Sequence, residues 1–294
     1  MHVDSGRRMD QRLGVSRVAA ADEPLPDLEA AAIRHETPCG EGTMVLREWG
    51  AGKPLVLLHG GSGSWRHWAR NIGHFAATRR VLAPDLPGLG DSASPPDPYT
   101  PDSVAGFVAD GVAAVLGADA PYDLVGFSFG AMIASRVSLL HGARIPSLTV
   151  VGAGAMGQPR NALGLEKVRR LEGAARVEGH RINLSRLMIA DAAKIDPLAL
   201  AIQEVNTRHS RMKSPQFAGS TALKDAVAVF PHRLNGIWGS RDAAAFPSVE
   251  SRRQILLSVR PDIDFRVIDG AGHWVAYEAA AEFNAMLEDM LAKP

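Results

Sequence analysis

One pentapeptide in the chain has the form that places a reactive serine at a sharp turn, namely Gly126-Phe127-Ser128-Phe129-Gly130. It follows the apolar run 122–125 and precedes a helix-length stretch that begins at residue 129. A strand, a tight turn and a helix in this order crowd the backbone, so a glycine is needed on either side of the serine. The helix N-terminus adds partial positive charge and free N–H groups. The pattern predicts Ser128 as a nucleophile.

A serine hydroxyl is a weak nucleophile at neutral pH, so it needs a general base, and that base needs a carboxylate to orient it. When the serine lies on such a turn, the chain order is serine, then acid, then histidine. Asp242 follows the apolar run 234–238, and His273 follows the apolar run 265–268. Open α/β sheets place their sites at the carboxyl ends of strands, where both residues lie. We therefore predict Ser128, His273 and Asp242 as a catalytic triad.

Other aspartates and histidines of the chain lie at positions that suit these roles less well. Asp225 is the nearest rival for the acid, but no strand precedes it, and Asp85 comes before the serine in the chain. Among the ten histidines, His232 precedes a strand and His59 belongs to a different motif. We expect His59 to form structural hydrogen bonds and Asp85 to bond nearby N–H groups in a turn-rich loop.

A glycine loop, His59-Gly60-Gly61, follows the first wholly apolar run at 54–58. Acyl transfer develops negative charge on the carbonyl oxygen, and two backbone N–H groups aimed at that oxygen stabilise it. In folds with this serine turn, one N–H comes from the residue after the nucleophile and the other from an early loop. We therefore predict that Phe129 and Gly61 form the oxyanion hole.

Strand-like and helix-like stretches alternate over most of the chain. The strand candidates are short and mostly apolar, as expected for strands buried on both faces of a parallel sheet. They cover residues 43–49, 54–58, 80–83, 122–125, 148–151, 234–238 and 265–268. Helix-length stretches separate them at 66–77, 103–117, 129–142, 248–259 and 274–292. This alternation predicts an α/β fold with a mostly parallel central sheet flanked by helices.

The alternation is interrupted between residues 155 and 225, where short helical stretches replace strands. We predict a helical cap over 155–225 inserted into a core formed by 27–154 and 226–294, after a poorly ordered lead-in at 1–26. The predicted cap has a net charge of +5 and the rest of the chain −5. A basic insert can steer anionic substrates inward, although solvated helix faces explain the same charge.

Taken together, these motifs resemble the α/β-hydrolase superfamily with a helical cap, over residues 40–292. The resemblance rests on the serine turn, the early glycine loop, the acid after Trp238-Gly239, the Gly272-His273 pair and the loop Asp85-Leu86-Pro87-Gly88-Leu89-Gly90-Asp91-Ser92. It implies the fold and the triad already predicted from the residues. Superfamily members with an aspartate nucleophile, such as haloalkane dehalogenases and epoxide hydrolases, are excluded by Ser128.

Two details are similar to the meta-cleavage product hydrolases, which cleave carbon–carbon bonds in dienoic diketo acids: Gly63-Ser64-Trp65, and Gly272-His273-Trp274 followed by Glu278. The resemblance implies substrate contacts by Trp274 and by a cap arginine, either Arg208 or Arg211. The sequence departs from that family at Phe127, at Phe129-Gly130-Ala131 and at His67. Because these changes remove polar contacts, an ester or lactone substrate is an equal expectation.

Composition limits the remaining functions. The chain has 294 residues, 32 basic and 32 acidic side chains and one cysteine. A net charge of zero disfavours a nucleic-acid partner. A membrane span needs about 18 consecutive apolar residues, and no apolar run in the sequence is that long. No group of Cys and His residues has the spacing of zinc ligands, so we expect no metal and no cofactor. We expect a small-molecule substrate and a cytoplasmic location, and both a monomer and a homo-oligomer stay open. Two alternatives stay open: a cofactor-independent oxygenase or perhydrolase, and a catalytically silent ligand-binding module.

Overall fold

The structure is a computed structural model that describes residues 23–159 and 161–293. An eight-stranded sheet is its central layer, with spatial order β1-β2-β4-β3-β5-β6-β7-β8. The first three strands in space pair antiparallel, and every pairing from β4 to β8 is parallel. The strands are β1 (Ile33–Cys39), β2 (Gly42–Trp49), β3 (Lys53–Leu58), β4 (Arg79–Pro84), β5 (Asp123–Phe127), β6 (Ser147–Val151), β7 (Arg233–Gly239) and β8 (Asp264–Ile268).

Ten α-helices lie among the described residues, and several are a single turn long. They are α1 (Pro26–Ala30), α2 (Ile72–Ala76), α3 (Pro101–Leu116), α4 (Phe129–His141), α5 (Gly173–Asn183), α6 (Pro197–Arg208), α7 (Ala222–Val229), α8 (Val249–Val259), α9 (Val275–Glu278) and α10 (Ala280–Ala292). None of these helices is long and apolar enough to cross a membrane. The α/β class and the mostly parallel sheet predicted from the sequence are confirmed.

The sheet is buried on both faces, which explains why its parallel strands are uniformly apolar in sequence. Along β3, Val56 and Leu58 pack into one hydrophobic cluster with α3 and α4. Leu55 and Leu57 point the other way, into a second cluster with α2 and α10. Side chains alternate between the faces of a strand, so a strand covered on both sides must be apolar at every position.

The sequence pattern did not predict β1. This strand pairs only with β2, so it lies at the edge of the sheet, and its first four residues are exposed or half-buried. The predicted lead-in 1–26 falls mostly outside the described residues. Its last part is packed: the Glu23 carboxylate accepts hydrogen bonds from Arg66 Nε at 3.0 Å, and Pro26 begins α1. The prediction of poor order is therefore wrong for residues 23–26.

Residues 155–221, which form most of the connection between β6 and α7, are called the inserted segment. It contains α5 and α6, several 3₁₀ turns and one π turn, and no strand among its described residues. The predicted boundary at residue 225 falls inside α7. Since α7 packs against α4 and α8, and Leu223 belongs to the main hydrophobic cluster, we assign this helix to the core.

Candidate active site

The serine turn lies where β5 ends and α4 begins. Ser128 has φ 52° and ψ −111°, a left-handed conformation that is costly for a residue with a side chain. Its N–H donates to the carbonyl of Val151 in β6 at 2.8 Å, which ties the turn to the sheet. A Cβ on Gly126 or Gly130 would overlap neighbouring backbone atoms, so both positions require glycine. The crowding holds the strained serine in place.

Three side chains from separate loops form a continuous hydrogen-bonded chain. His273 Nε2 lies 3.0 Å from Ser128 Oγ, and His273 Nδ1 lies 2.9 Å from each carboxylate oxygen of Asp242. Because Nδ1 faces a carboxylate, it carries the proton, and Nε2 is left to accept from the serine hydroxyl. His273 and Asp242 are 4% and 7% exposed, respectively, so the charges on these hydrogen-bonded side chains are shielded from water.

The loops after β7 and β8 hold the acid and the histidine together. Backbone N–H groups of Ser240 and Arg241 donate to the carbonyls of Ile268 and Ala271, both at 2.9 Å. A Cβ on Gly239 would collide with the neighbouring loop, so glycine permits this close approach. The loops thus fix the relative position of Asp242 and His273 through backbone contacts.

The rival residues lie elsewhere. Asp225 is exposed on α7 and accepts a hydrogen bond from Thr221 Oγ1 at 2.6 Å. Asp85 is buried and accepts from the backbone N–H of Trp65 at 2.8 Å and from Arg47 Nη1 at 3.0 Å. Their contacts are structural, and neither carboxylate lies among the residues that surround Ser128.

The early glycine loop is held by two histidines. His59 Nδ1 lies 2.8 Å from the carbonyl of Gly60, and its Nε2 accepts from the N–H of Leu86 at 2.9 Å. The structural role predicted for His59 is therefore confirmed. His67 Nδ1 accepts from the N–H of Gly60 at 3.2 Å. Gly60 is thereby occupied, which leaves Gly61 as the next N–H in the loop.

Gly61 and Phe129 both line the cavity that contains Ser128 and His273. Neither N–H donates a hydrogen bond to another described residue. Phe129 is the first residue of α4, where backbone N–H groups have no intrahelical acceptor. The two predicted oxyanion-hole residues are thus brought to the same cavity with free donors.

His67 is a buried neighbour that the sequence identified only as a departure from a family pattern. It lines the cavity, and its ring centroid lies 5.5 Å from that of Phe127 and 5.1 Å from that of Trp274. Burial, helped by the nearby His59 and His273, holds the pKa of His67 well below its usual value of 6.5. Since Nδ1 accepts a hydrogen bond, the neutral ring carries its proton on Nε2.

The cavity lies between the core and the inserted segment and has a volume of about 600 Å³. This is within the range of about 300–1,000 Å³ that holds small-molecule ligands. Most of its wall is apolar, including Phe127, Phe129, Met132, Val168, Leu187 and Met188. Four cationic side chains also line it: Lys167, Arg169, Arg170 and Arg252. In the described ranges, no group of three or more His, Cys, Asp and Glu side chains could hold a metal ion.

The three predicted substrate-contact residues do not line this cavity. Trp274 is buried, stacks on Tyr277 at 4.1 Å between ring centroids and donates from Nε1 to the carbonyl of His67 at 2.8 Å. Arg208 Nε donates to Glu204 at 2.5 Å. Arg211 Nη2 donates to the carbonyl of Gly90 at 3.1 Å. These predictions are corrected: all three side chains are engaged in the protein framework.

The prediction for the two arginines was wrong because a helix ends between them. Residues three apart are neighbours on a helix, so Arg208 and Arg211 would share a face if one helix carried both. However, α6 ends at Arg208, and the backbone N–H of Arg211 donates to the carbonyl of Gly88 in the core. The two side chains therefore do not share a face.

A buried carboxylate joins the inserted segment to the histidine loop. Glu278 accepts from the N–H of Gly272 at 2.7 Å, of Ala190 at 3.0 Å and of Asp191 at 2.8 Å. The N–H of Trp274 donates to the carbonyl of Met188 at 2.7 Å. The base of the inserted segment is thus bonded to the residues on either side of His273.

Comparison with known proteins agrees with this geometry. The family model described as "Alpha/beta hydrolase family" matches residues 55–286, and the chain belongs to that family. A 2-hydroxy-6-oxononadienedioate/2-hydroxy-6-oxononatrienedioate hydrolase of Paraburkholderia phymatum is 30% identical over 285 residues, which cover 90% of this chain and 97% of that protein.

Solved structures show the same fold. A meta-cleavage product hydrolase from Pseudomonas fluorescens (an S103A mutant complexed with acetates) matches with a TM-score of 0.68 at 20% identity, covering 87% of this chain and 97% of that one. Naproxen esterase from Bacillus subtilis matches with a TM-score of 0.73 at 21% identity, covering 88% of this chain and 91% of that one. The family match and the 30% identical relative make the chain a hydrolase, and its fold is similar to those of a meta-cleavage product hydrolase and an esterase.

Proposed function

We propose that this protein is a serine hydrolase that acts on a small carboxylic ester or lactone through Ser128, His273 and Asp242. The observation that carries the proposal is the hydrogen-bonded series from Ser128 Oγ through His273 to Asp242, which lies at a mostly apolar cavity. Its geometry matches the roles of nucleophile, base and orienting carboxylate.

In the proposed reaction, Ser128 Oγ attacks the substrate carbonyl carbon while its proton passes to His273 Nε2. The oxyanion is stabilised by the N–H groups of Gly61 and Phe129, and each such donor contributes about 3–4 kcal/mol in comparable sites. Collapse breaks the carbon–oxygen bond, and the leaving alcohol takes the proton from His273. Water then attacks the acyl-enzyme by the same steps, which releases the acid and restores Ser128.

Asp242 keeps His273 in the tautomer that this sequence of steps needs. It accepts from Nδ1 in every step and stabilises the imidazolium when Nε2 is protonated, without taking the proton itself. The Asp242 carboxylate is held in turn by the N–H of Ala244, which donates to Oδ1 at 2.8 Å. We propose that the inserted segment acts as a cap that closes the cavity and excludes water during the reaction.

Carbon–carbon bond hydrolysis is the second candidate, favoured by the relatives named as dienedioate and semialdehyde hydrolases. The same nucleophile, base and oxyanion hole serve that reaction. The cavity around Ser128 favours the ester, because the residues on either side of the nucleophile, Phe127 and Phe129, are apolar members of its lining. A direct comparison of nitrophenyl esters, lactones and dienoic diketo acids ranks the two candidates by kcat/KM.

The nucleophile is tested by covalent labelling. A fluorophosphonate should label wild-type protein, and peptide mass spectrometry should place the adduct on Ser128. Ser128→Ala should abolish both labelling and ester turnover. Ser138→Ala is the matched control, because Ser138 lies buried in α4 and its hydroxyl donates to the carbonyl of Ser135. An adduct on another serine of an active protein contradicts the proposal.

The same experiment separates the remaining alternatives. A silent binding module should show no labelling and no turnover. An oxygenase or perhydrolase should be labelled, but its turnover should require oxygen or peroxide. Ester hydrolysis that proceeds equally under nitrogen and without peroxide excludes both requirements.

A further inference from the structure

Arg252 on α8 is a buried cation in the wall of the active-site cavity. Its side chain is 4% exposed, and it lines the same cavity as Ser128 and His273. It belongs to the core, on the side of the cavity formed by the loop that carries Asp242. The family resemblance pointed to the opposite side, to arginines of the inserted segment, so nothing in the sequence pattern identified this residue.

The neighbours of Arg252 leave most of its hydrogen-bonding capacity unused. Nη2 donates to the carbonyl of Ala244 at 3.3 Å, and the buried Nε has no hydrogen-bond partner among the described residues. Buried side-chain donors are normally paired, because an unpaired one loses its bonds to water without replacement. The unpaired Nε therefore marks a place where an acceptor is missing.

The other buried arginines form ion pairs with carboxylates, which is the usual way to compensate a buried positive charge. Four arginine residues in the described ranges are buried. Arg47 forms ion pairs with three carboxylates, Arg66 with Glu23 and Arg260 with Asp262. Arg252 forms no ion pair with a described carboxylate. It is the exception among the four, and it is the one that lines the cavity.

Nearby Asp242 does not complete the pair. Its negative charge favours the charged guanidinium, but burial outweighs this effect and lowers the pKa of Arg252 below its usual value. The Asp242 oxygens are bonded to His273 and to the N–H of Ala244. A guanidinium remains charged in proteins, and a buried charge without a close partner is costly.

We propose that Arg252 is the binding site for a carboxylate of the substrate, which makes an apolar body with one carboxylate the preferred substrate class. The proposal rests on the function proposed above. An arginine suits a carboxylate because its planar fork offers two parallel N–H donors. The apolar wall formed by residues such as Phe129 and Met132 accommodates the body of such a molecule.

Arg169 and Arg170 are less suited to this role although they line the same cavity. Both are exposed, so water already solvates their charge, and Arg169 donates to the carbonyl of Thr207 at 3.3 Å. An exposed ion pair is weak because water and salt screen it. A buried arginine with free donors gives the larger preference.

Matched substrates test the proposal in wild-type protein. One pair places the acid on the acyl side: the nitrophenyl half-ester of glutaric acid against nitrophenyl pentanoate. The other places it on the alcohol side: the butyrate ester of hydroxybenzoic acid against that of hydroxybenzamide. A charge-assisted contact should raise kcat/KM for the acidic member of one pair about 10- to 150-fold. The pair that responds shows on which side of the scissile bond the carboxylate lies.

Variants then connect the preference to the residue. Arg252→Met should bring the acidic-to-neutral ratio of kcat/KM close to one, and Arg252→Lys should leave an intermediate ratio, because it keeps the charge but loses the fork. Arg253→Gln is the matched control: Arg253 is the next residue of α8, its side chain is 49% exposed and it pairs weakly with Glu250 at 3.8 Å. Its ratio should equal that of wild type.

Binding measurements separate this proposal from the proposed hydrolysis. Calorimetry on Ser128→Ala protein should show tighter binding of benzoate than of benzamide, and the difference should vanish in Ser128→Ala/Arg252→Met. This result does not require turnover, so it stands even if the proposed reaction is wrong. Equal binding of benzoate and benzamide, or a ratio of kcat/KM near one in the wild type, overturns the proposal. An Arg252→Met ratio equal to that of wild type also overturns it.

Discussion

The carboxyl edge of the sheet and the inserted segment meet at one cavity but are built in different ways. At the sheet edge, Gly126, Gly130 and Gly239 pack so closely against backbone that a side chain would not fit. In the inserted segment, a Cβ on Gly179 would meet only side-chain atoms, and one on Gly219 would have no atom of another described residue within 4 Å beyond its chain neighbours. The edge fixes atoms by close packing of backbone on backbone, whereas the inserted segment is held by side-chain packing, through residues such as Ile195 and Ile202, and by separate polar contacts.

This difference separates two tasks of a hydrolase. Reacting groups must be held to within about 0.5 Å, which needs rigid elements around them. Substrate recognition needs a wall that differs between relatives and admits the ligand, which suits short helices joined by irregular turns. The proposed triad therefore lies on the rigid side, and most of the other cavity-lining residues lie in the inserted segment.

The largest expected effect comes from breaking the rigid side at its acid. Asp242→Asn should lower kcat by about four orders of magnitude with little change in fold, because an amide favours the wrong tautomer of His273. Steady-state kinetics and circular dichroism check this. Asp225→Asn is the control, since Asp225 is exposed and its carboxylate accepts from Thr221, the residue before α7. A large loss in the control and none in Asp242→Asn would assign the acid to Asp225.

The next test concerns steric crowding. Gly130→Ala should destabilise the protein by about 3 kcal/mol, because its Cβ would overlap the carbonyl oxygens of Leu58 and His59. Gly219→Ala, in open space in the inserted segment, should change stability by less than about 0.5 kcal/mol. Urea unfolding measures both. Similar losses of unfolding free energy in the two variants would show that the two regions do not differ in how tightly their backbone is packed.

The hydrogen bonds that join the inserted segment to the core can be broken at Glu278. Its carboxylate accepts backbone N–H groups from both sides of the junction, Gly272 in the core and Ala190 in the inserted segment. Glu278→Gln should cost about 2–3 kcal/mol, since an amide has one acceptor oxygen and turns a donor toward a donor. It should also lower kcat by loosening the loop of His273. Glu282→Gln, on the exposed face of α10, should change neither quantity appreciably.

Much of the sheet edge could be predicted from the sequence, because its geometry depends on local rules. The serine turn requires glycines next to Ser128, and the buried strands are continuously apolar, so both leave a readable pattern. β1 was missed because an exposed edge strand has no such pattern. Arg252 was missed because its burial and its missing partner arise only when α8 packs against the loop of Asp242. Local rules could not reveal that Trp274 stacks on Tyr277 away from the cavity.

The smallest expected effect lies within the inserted segment, where α5 and α6 are joined through Glu204. Its carboxylate accepts from Arg176 Nε at 2.7 Å, His180 Nε2 at 2.6 Å and Arg208 Nε at 2.5 Å. Burial favours the neutral carboxyl, but these hydrogen bonds together outweigh it and lower the pKa of Glu204 to about 2. Burial also lowers the pKa of His180, which is therefore neutral at pH 7 and donates from Nε2.

Both shifts give the same pH dependence. A carboxyl whose pKa is lowered on folding stabilises the folded state above its ordinary pKa near 4.5, and the contribution is lost as the pH falls toward 2. A histidine whose pKa is lowered on folding is also destabilising on acidification, because the unfolded chain binds the proton more readily. We therefore expect α5 and α6 to open more readily as the pH falls below neutrality, before the sheet does.

Amide exchange at matched pH measures this opening in Glu204→Gln and wild type. At pH 7 the variant should exchange faster in α5 and α6, by an amount equivalent to about 1 kcal/mol, because partly exposed ion pairs contribute little each. The difference should shrink as the pH falls toward 3, where the wild type loses the same contribution. Glu178→Gln removes a weaker pair with Arg181 at 3.5 Å on an exposed face and should leave exchange unchanged. If exchange in β5 and β6 rises as much as in α5 and α6, the inserted segment does not open separately, and the two regions form one cooperative unit.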